Sequence, residues 1–523
     1  MRPQTGGGGA EVTAQQLEQI PVYTGEQIRA AEKPLLDSGQ GRLLMRRAAY
    51  GLAKTIADLL GQKRPQGAYG ACVTGLIGPG NNGGDGLYAL AFLARRGAEA
   101  CAVLIRDRAH PEALEAFRAA GGRVLRAVPE QTQVLIDAIL GTGYRSEFTR
   151  PEVPGLTQAL RAVDDAGSWS PTVVACDLPS GVNADTGAAG HGVIPANHTV
   201  TFGGVKQGLI AGRGGLLSGR VHTVDIGIGA HLSKTPTWLL APSTAAPVPL
   251  RPPEPAGHKY SRGVVHLVVG SAQYPGAAQL TAGAAVGTGV GMVTLQAPAA
   301  LRSQVLSAYP EVVGTEDAAA AVSRAGGVVL GPGLGNDPAR LTEAEAVLEK
   351  CLEAGTACVL DASGLGLIRD QLRRRGGLGN NVLITPHLGE ARQIAKDLRD
   401  SVLTGQLAEG PAKADPVEAA RRIAGRLDCT VLLKGPTTVI ASPEGEVLLH
   451  RAGGLQAAGA PGLATAGTGD VLSGILGALA ATQGGDWLQV AALGVSLHTA
   501  AAHRIDPHGQ GRFGASDLLA GLP

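Results

Sequence analysis

The chain has 523 residues, and its 45 Lys+Arg against 44 Asp+Glu leave a net charge of +1. That balance argues against an electrostatic nucleic-acid binder or a polybasic membrane binder. At roughly 150 residues per domain, two large or three ordinary domains are expected, with cores built from small aliphatic residues because aromatics make up only 3%.

Residues 1–20 contain Gly6 to Gly9 and lack an apolar h-region, so a disordered tail is expected rather than a signal peptide. A helical pattern opens at Thr24-Gly25-Glu26-Gln27-Ile28, and a second covers 43–60. Residues 71–77 read as a strand, a Gly-rich turn follows, and 86–96 read as a helix. Then come a strand at 100–105, a helix at 111–120, and strands at 134–138 and 173–176. Such short alternation predicts a mostly parallel sheet.

Prolines 236, 242, 247, 249, 252, 253 and 255 crowd one segment. A proline run of this density predicts an extended linker over 236–255, joining separate units at 21–235 and 256–523. The second unit repeats the alternation, with strands expected at 264–269, 292–296, 327–330, 357–360, 381–384 and 430–433. The fold class expected is two doubly wound α/β domains. Residues 264–301 carry no charge, but Gly, Gln, Ser, Thr and Pro275 interrupt them, which excludes a membrane span. The six cysteines are dispersed without a C-x-x-C, as expected of reduced buried thiols. A cytoplasmic protein with no membrane or nucleic-acid partner is expected, and a homo-oligomer.

Three loops of the first unit follow strands and should share one sheet edge. The first is Gly78-Pro79-Gly80-Asn81-Asn82-Gly83-Gly84-Asp85-Gly86. It contains G-x-G-x-x-G, a weak dinucleotide signal, plus Asn and Asp oxygens that this signal does not explain. The others are Asp137 to Gly143, and Asp177-Leu178-Pro179-Ser180-Gly181. An acid at each strand end, with Asn82 and Ser180, gives an oxygen-rich cluster suited to a hard cation.

These stretches, with Leu44-Met45-Arg46-Arg47-Ala48, Thr199 to Gly203 and Lys206, resemble the YjeF N-terminal family of NAD(P)HX epimerases. Arg46 stands where that family usually has Glu. The resemblance implies a Rossmann-like domain in which Asn82, Asp137 and Ser180 hold a potassium ion. It implies that Asn81, Asn82, Gly83, Gly84 and Asp85 bind the hydrated dinucleotide. Gly141, Thr142, Gly143, Tyr144, Arg145, Ser146, Glu147 and Asp177 complete that set. Asp177 is the acid/base candidate, since a carboxylate in a partly dry cleft exchanges protons near neutral pH.

In the second unit the strongest pattern is Ala464-Thr465-Ala466-Gly467-Thr468-Gly469-Asp470 before a helix. Small residues leave room for a phosphate at a helix N-terminus, and Asp470 beside it can deprotonate a hydroxyl. No G-x-x-x-x-G-K-[ST] occurs, which excludes a P-loop. Lys434-Gly435-Pro436-Thr437-Thr438, Thr385-Pro386-His387 and Gly331-Pro332-Gly333-Leu334-Gly335 each follow a strand. His498 and His503 have the wrong spacing for metal on one helix face and read as structural.

With His258-Lys259-Tyr260, Gly270-Ser271, Tyr274 to Ala278 and Leu360-Asp361-Ala362, these stretches resemble the ribokinase-like ADP/ATP-dependent NAD(P)HX dehydratases. Ala460 and Ala466 depart from the Asn and Gly common there. The resemblance implies that Ala278, Gly333, His387 and Asp470 contact the hydrate. It implies that Lys434, Gly435, Pro436, Thr437, Thr438, Thr465, Gly467, Thr468 and Gly469 bind ADP or ATP with magnesium. Together the halves resemble the bifunctional NAD(P)H-hydrate repair enzymes, whose substrates are NADHX, NADPHX and an adenine nucleotide. The alternative is a small-molecule kinase for a vitamin precursor, fused to a non-catalytic nucleotide-binding module.

Overall fold

The computed structural model describes residues 17–143, 148–161, 171–235, 237–241, 248–408, 414–456 and 459–523. One sheet has seven strands, all parallel, in the first half of the chain. Their spatial order is Arg123–Leu125, Glu99–Leu104, Cys72–Ile77, Val134–Ala138, Thr172–Cys176, His198–Phe202 and Arg220–Val224. The central strands are buried on both faces, which is why they read as continuous apolar runs rather than alternating ones. Strand order reverses between Cys72–Ile77 and Val134–Ala138, and a crevice opens at such a reversal. The helix after the Gly-rich segment is Asn81–Ala94, so it begins inside that segment rather than at 86. Its buried Gly83 and Gly86 let it lie close on the sheet edge, while Gly84 makes room for Met45 and His110.

The second sheet has twelve strands. Seven run parallel in the order Val313–Gly314, Met292–Leu295, Val264–Val268, Gly327–Leu330, Cys358–Leu360, Val382–Ile384 and Thr430–Leu433. Here the order reverses between Val264–Val268 and Gly327–Leu330. The sheet continues through Thr438–Ala441, antiparallel to both neighbours, and Val447–His450. The strands foreseen from the sequence occur with ends shifted by a residue or so. The doubly wound class holds for both sheets.

The linker expectation does not hold as a spacer. Thr237–Leu240 pairs in parallel with Val447–His450 and antiparallel with Gln19–Tyr23. Gln19–Tyr23 in turn pairs with Val205–Lys206, so strands from the first half extend the second half's sheet. Proline density hid a four-residue strand, because Thr237-Trp238-Leu239-Leu240 contains no proline and buries Leu239 and Leu240 completely. Beyond it, Arg251 donates its backbone N–H to Gln483 Oε1 at 2.7 Å. Pro236 and residues 242–247 lie outside the described residues. The tail expectation needs the same correction at its end, since Leu17 is buried and a strand starts at Gln19; residues 1–16 lie outside the described residues.

One apolar core joins Val22, Leu178, Val205 and Leu209 of the first half to Leu330, Leu360, Leu433 and Leu449 of the second. All six cysteines are buried and free, as expected. Among the described residues no helix is long and apolar enough to cross a membrane.

Candidate active sites

At the reversal of the first sheet, the three foreseen loops meet. The Asn82 side-chain amide donates to Leu140 O at 3.0 Å, and the Leu140 N–H donates to Ser180 Oγ at 2.9 Å. Ser180 donates its hydroxyl to Asp137 Oδ1 at 2.5 Å and its backbone N–H to Oδ2 at 2.8 Å. Asp137 is fully buried, and burial raises its pKa although the Ser180 hydrogen bonds pull the other way. Gly78 explains part of this closeness: a Cβ there would overlap the Ile139 carbonyl, so no other residue lets these two loops touch.

Beside this cluster lies a cleft of about 730 Å³ between the helix Gly25–Asp37 and the sheet edge. Asn81, Asn82, Asp85, Gly141, Thr142, Gly143 and Asp177 line it, while Gly83 and Gly84 are buried behind it. Tyr144, Arg145, Ser146 and Glu147 lie outside the described residues. Asp177 sits in the left-handed backbone region at φ 68°. Its Oδ1 accepts from Lys206 Nζ at 2.6 Å, Thr201 Oγ1 at 3.2 Å and Phe202 N at 3.3 Å. The Lys206 side chain is 1% exposed, and a buried ammonium is tolerated only with such partners.

Two carboxyls join Asp177 in the cleft. Asp85 is pushed well above the ordinary range by burial, then by the charges of Asp177 and Glu32. Glu32, on Gly25–Asp37, is raised by burial and then by Asp177, against Lys206 and Arg29. Sequence reasoning did not single out Glu32, because one acid on an amphipathic helix looks like any solvated one. Its spacing from Ile28 and Arg29, one turn away, was the available signal, and the cleft alone gives it meaning.

At the carboxyl edge of the second sheet, past Cys358–Leu360 and Thr430–Leu433, Asp361 is buried and accepts from Lys434 Nζ at 2.6 Å and from Ser473 Oγ at 2.8 Å. Asp361 and Ser473 were not foreseen as site residues. Yet Asp361 ends a buried strand, the same signal that pointed to Asp137 and Asp177. The helix Thr468–Gln483 starts above them, with Gly467 as N-cap at φ 91°, a conformation that favours glycine. Gly469 lies over the pair: a Cβ there would sit 3.6 Å from Lys434 Nζ and 3.9 Å from Asp361 Oδ2. Asp470 is half-buried, and burial with the Asp361 charge raises its pKa to about 6, against the pull of Lys434.

Other foreseen residues take more local roles. Thr468 is buried and donates its hydroxyl to Leu463 O and Thr465 O at 2.8 and 2.9 Å, so it shapes the loop. Thr465, Gly435 and Pro436 are exposed, and Thr438 begins a strand. Thr437 Oγ1 donates to Ile210 O of the first half at 2.6 Å. Gly333, at φ 68°, sits tight against Ala277. Ala278 is fully buried, its Cβ packed beneath Gly270. His387 caps the helix Leu388–Asp397, its Nδ1 accepting from Gly389 N at 2.9 Å and Glu390 N at 3.2 Å. It lies beside Lys434 in the backbone ladder and leaves its ring exposed. His498 is buried and its pKa falls to about 4, as suits a structural histidine.

The pattern of the family described as YjeF-related protein N-terminus matches residues 41–208, and that of NAD(P)H-hydrate dehydratase matches residues 265–518. The chain is 41% identical over 462 residues to a Mycobacterium tuberculosis protein named bifunctional NAD(P)H-hydrate repair enzyme Nnr, covering 88% of this chain and 89% of that one. An Escherichia coli protein of the same name is 32% identical, with 85% and 82% covered. The solved ADP/ATP-dependent NAD(P)H-hydrate dehydratase of Bacillus subtilis, crystallised with ATP and Mg²⁺, is 24% identical at a TM-score of 0.40, covering 52% of this chain and 91% of that one.

Proposed function

The chain belongs to the bifunctional NAD(P)H-hydrate repair enzymes, and on that premise we propose how its two sites divide the work. The first cleft interconverts the R and S epimers of NADHX and NADPHX. The second site dehydrates the S epimer at the expense of ADP or ATP. The observation that carries this reading is the pairing, in one chain, of a carboxyl-rich cleft with a phosphate-type helix start beside a poised acid.

In the first site Asp177 is the principal proton-transferring group. Lys206 keeps it oriented and offsets its charge. Asn81, Asn82, Asp85 and the loop 141–143 bind the dinucleotide across the sheet edge. The linked oxygens of Asp137, Ser180 and the Leu140 carbonyl, with Asn82, form an oxygen-rich cluster, and a buried carboxylate among them suits a monovalent cation. We assign potassium there, where it supplies charge that holds the three loops together. Exchanging potassium for choline is therefore expected to lower epimerase activity and leave dehydration unchanged, as epimer-resolved chromatography would read. Equal epimerisation in both salts would remove potassium from the assignment.

In the second site Asp470 takes the proton from the hydrate's hydroxyl as that oxygen attacks the terminal phosphoryl group. Hydroxide leaves poorly and phosphate leaves well, so phosphorylation makes loss of the oxygen feasible. The amides at the start of Thr468–Gln483 and Lys434 hold the phosphates, which carry magnesium. Asp361, paired with Lys434 Nζ at 2.6 Å, holds that ammonium beneath Gly469 at the helix start.

Pure R and S hydrates of NADH, each given with ADP or ATP, test the reading through the return of NADH absorbance. Both should be consumed, S directly and R after inversion. A stable phosphorylated product without NADH would favour a vitamin-precursor kinase instead.

A further inference from the structure

We propose that Glu32 is a second proton-transferring residue of the epimerase cleft, acting on the hydrate from the helix side while Asp177 acts from the sheet side. The inference rests on the epimerase reading of that cleft. Its geometric basis is the placement of carboxyls on two different walls. Glu32 reaches the cleft from Gly25–Asp37, together with Ile28 and Arg29. Asp177 and Asp85 reach it from the sheet edge and from the start of Asn81–Ala94.

Inversion at a hydrated carbon needs both faces. Carbon six of the hydrated ring carries a hydroxyl and is bonded to the ring nitrogen, so it is a hemiaminal. Glu32 gives its proton to the hydroxyl oxygen. The C–O bond then breaks, its electron pair leaves with the oxygen as water, and the nitrogen lone pair closes a C=N bond. Water adds to the opposite face, a new C–O bond forms, the C=N pair returns to nitrogen, and the surplus proton passes to Asp177. One proton leaves Glu32 and one arrives at Asp177, so the ring is neither oxidised nor reduced. Proton exchange with solvent resets the two carboxyls.

The donor must hold a proton near neutral pH. Burial, and then the Asp177 charge, raise the Glu32 carboxyl above its ordinary range, while Asp177 keeps Lys206 at 2.6 Å. The charged groups facing Glu32 are Arg29 on its own helix, Asp85, and the Asp177–Lys206 pair, while the adjacent Lys33 pairs with Asp37. The neighbouring helix Gly41–Lys63 lines the cleft with Gly41, Leu44, Met45 and Ala48, which carry no charge.

The test uses the full chain, pure R or S hydrate of NADH, and no nucleotide. Glu32→Gln is expected to lower kcat for inversion by about 100-fold with KM little changed. From the epimer whose hydroxyl faces Glu32, the parent should lose kcat as pH rises through the Glu32 titration; from the other epimer Glu32 accepts the proton and the limb runs the opposite way. That limb should vanish in Glu32→Gln and persist, displaced, in Glu32→Asp. In ¹⁸O-water the parent should take one solvent oxygen per inversion. Parent-like kcat in Glu32→Gln, a change confined to KM, an unchanged pH limb, or no label uptake would each overturn the proposal. If Glu32→Gln also loses dehydration, and so does not fold, Glu32→Asp decides: a displaced limb supports the role and a missing one overturns it. A parent that fails to interconvert the epimers at all would instead refute the epimerase reading.

Discussion

Replacing Asp470 with Asn is expected to slow dehydration by about 10²–10⁴-fold, the usual cost of losing a general base, and to leave epimerisation at the parental rate. Asn keeps the volume of Asp, so Thr281 can still donate to the 470 carbonyl as it does now at 3.2 Å. The helix start should therefore survive, and the loss should appear in kcat. A pH signature accompanies it. Asp470 must be ionised to accept a proton, and its pKa is raised to about 6. Parental kcat should fall as pH drops through that value. The Asn variant should show no such limb. A variant that dehydrates S hydrate as fast as the parent would remove Asp470 from the chemistry.

Cutting the chain near Pro249 is expected to yield two pieces that remain associated rather than two independent soluble domains. Thr237–Leu240 would stay with the first piece, while its partner Val447–His450 belongs to the second. Separation would bare a strand edge on each and expose Leu239 and Leu240, now fully buried. Burying each leucine is worth about 1.5–3 kcal/mol, before any ladder hydrogen bond is counted. The shared core from Val22 to Leu449 adds to that cost. Hydrogen bonds from Val221 N to Leu455 O at 2.8 Å and from Gln456 to Val221 O at 3.2 Å cross the same boundary. Co-expressed pieces 1–245 and 250–523 should co-elute in gel filtration, and 250–523 alone should aggregate or melt at lower temperature. Two monodisperse pieces, each as stable as the parent, would show that this contact is dispensable.

The two cases differ in what could be read without a fold. Asp470 was legible because helix-start chemistry is local: glycines, a phosphate-sized gap and an acid sit within a few consecutive residues. Asp137, Asp177 and Lys434 were legible for a related reason, since a polar residue just past a buried apolar run marks the sheet edge where ligands bind. The doubly wound class followed likewise, because strands buried on both faces must be apolar throughout.

The amino-acid sequence alone thus determined the alternation of strands and helices, the two families of loops, and the acids at strand ends. Each of these depends on neighbours a few residues away. The tertiary structure decided what depends on distant partners. It set Glu32 in the cleft with Asp177, joined Asp361 to Lys434 and Ser473, and buried Ala278 beneath the turn at Gly270. It turned part of an expected spacer into a strand between the two halves. Proline content speaks only for the residues that are proline. Whether the short apolar run between them pairs is settled by the edge that Val447–His450 offers, more than two hundred residues away, and no local pattern encodes that edge.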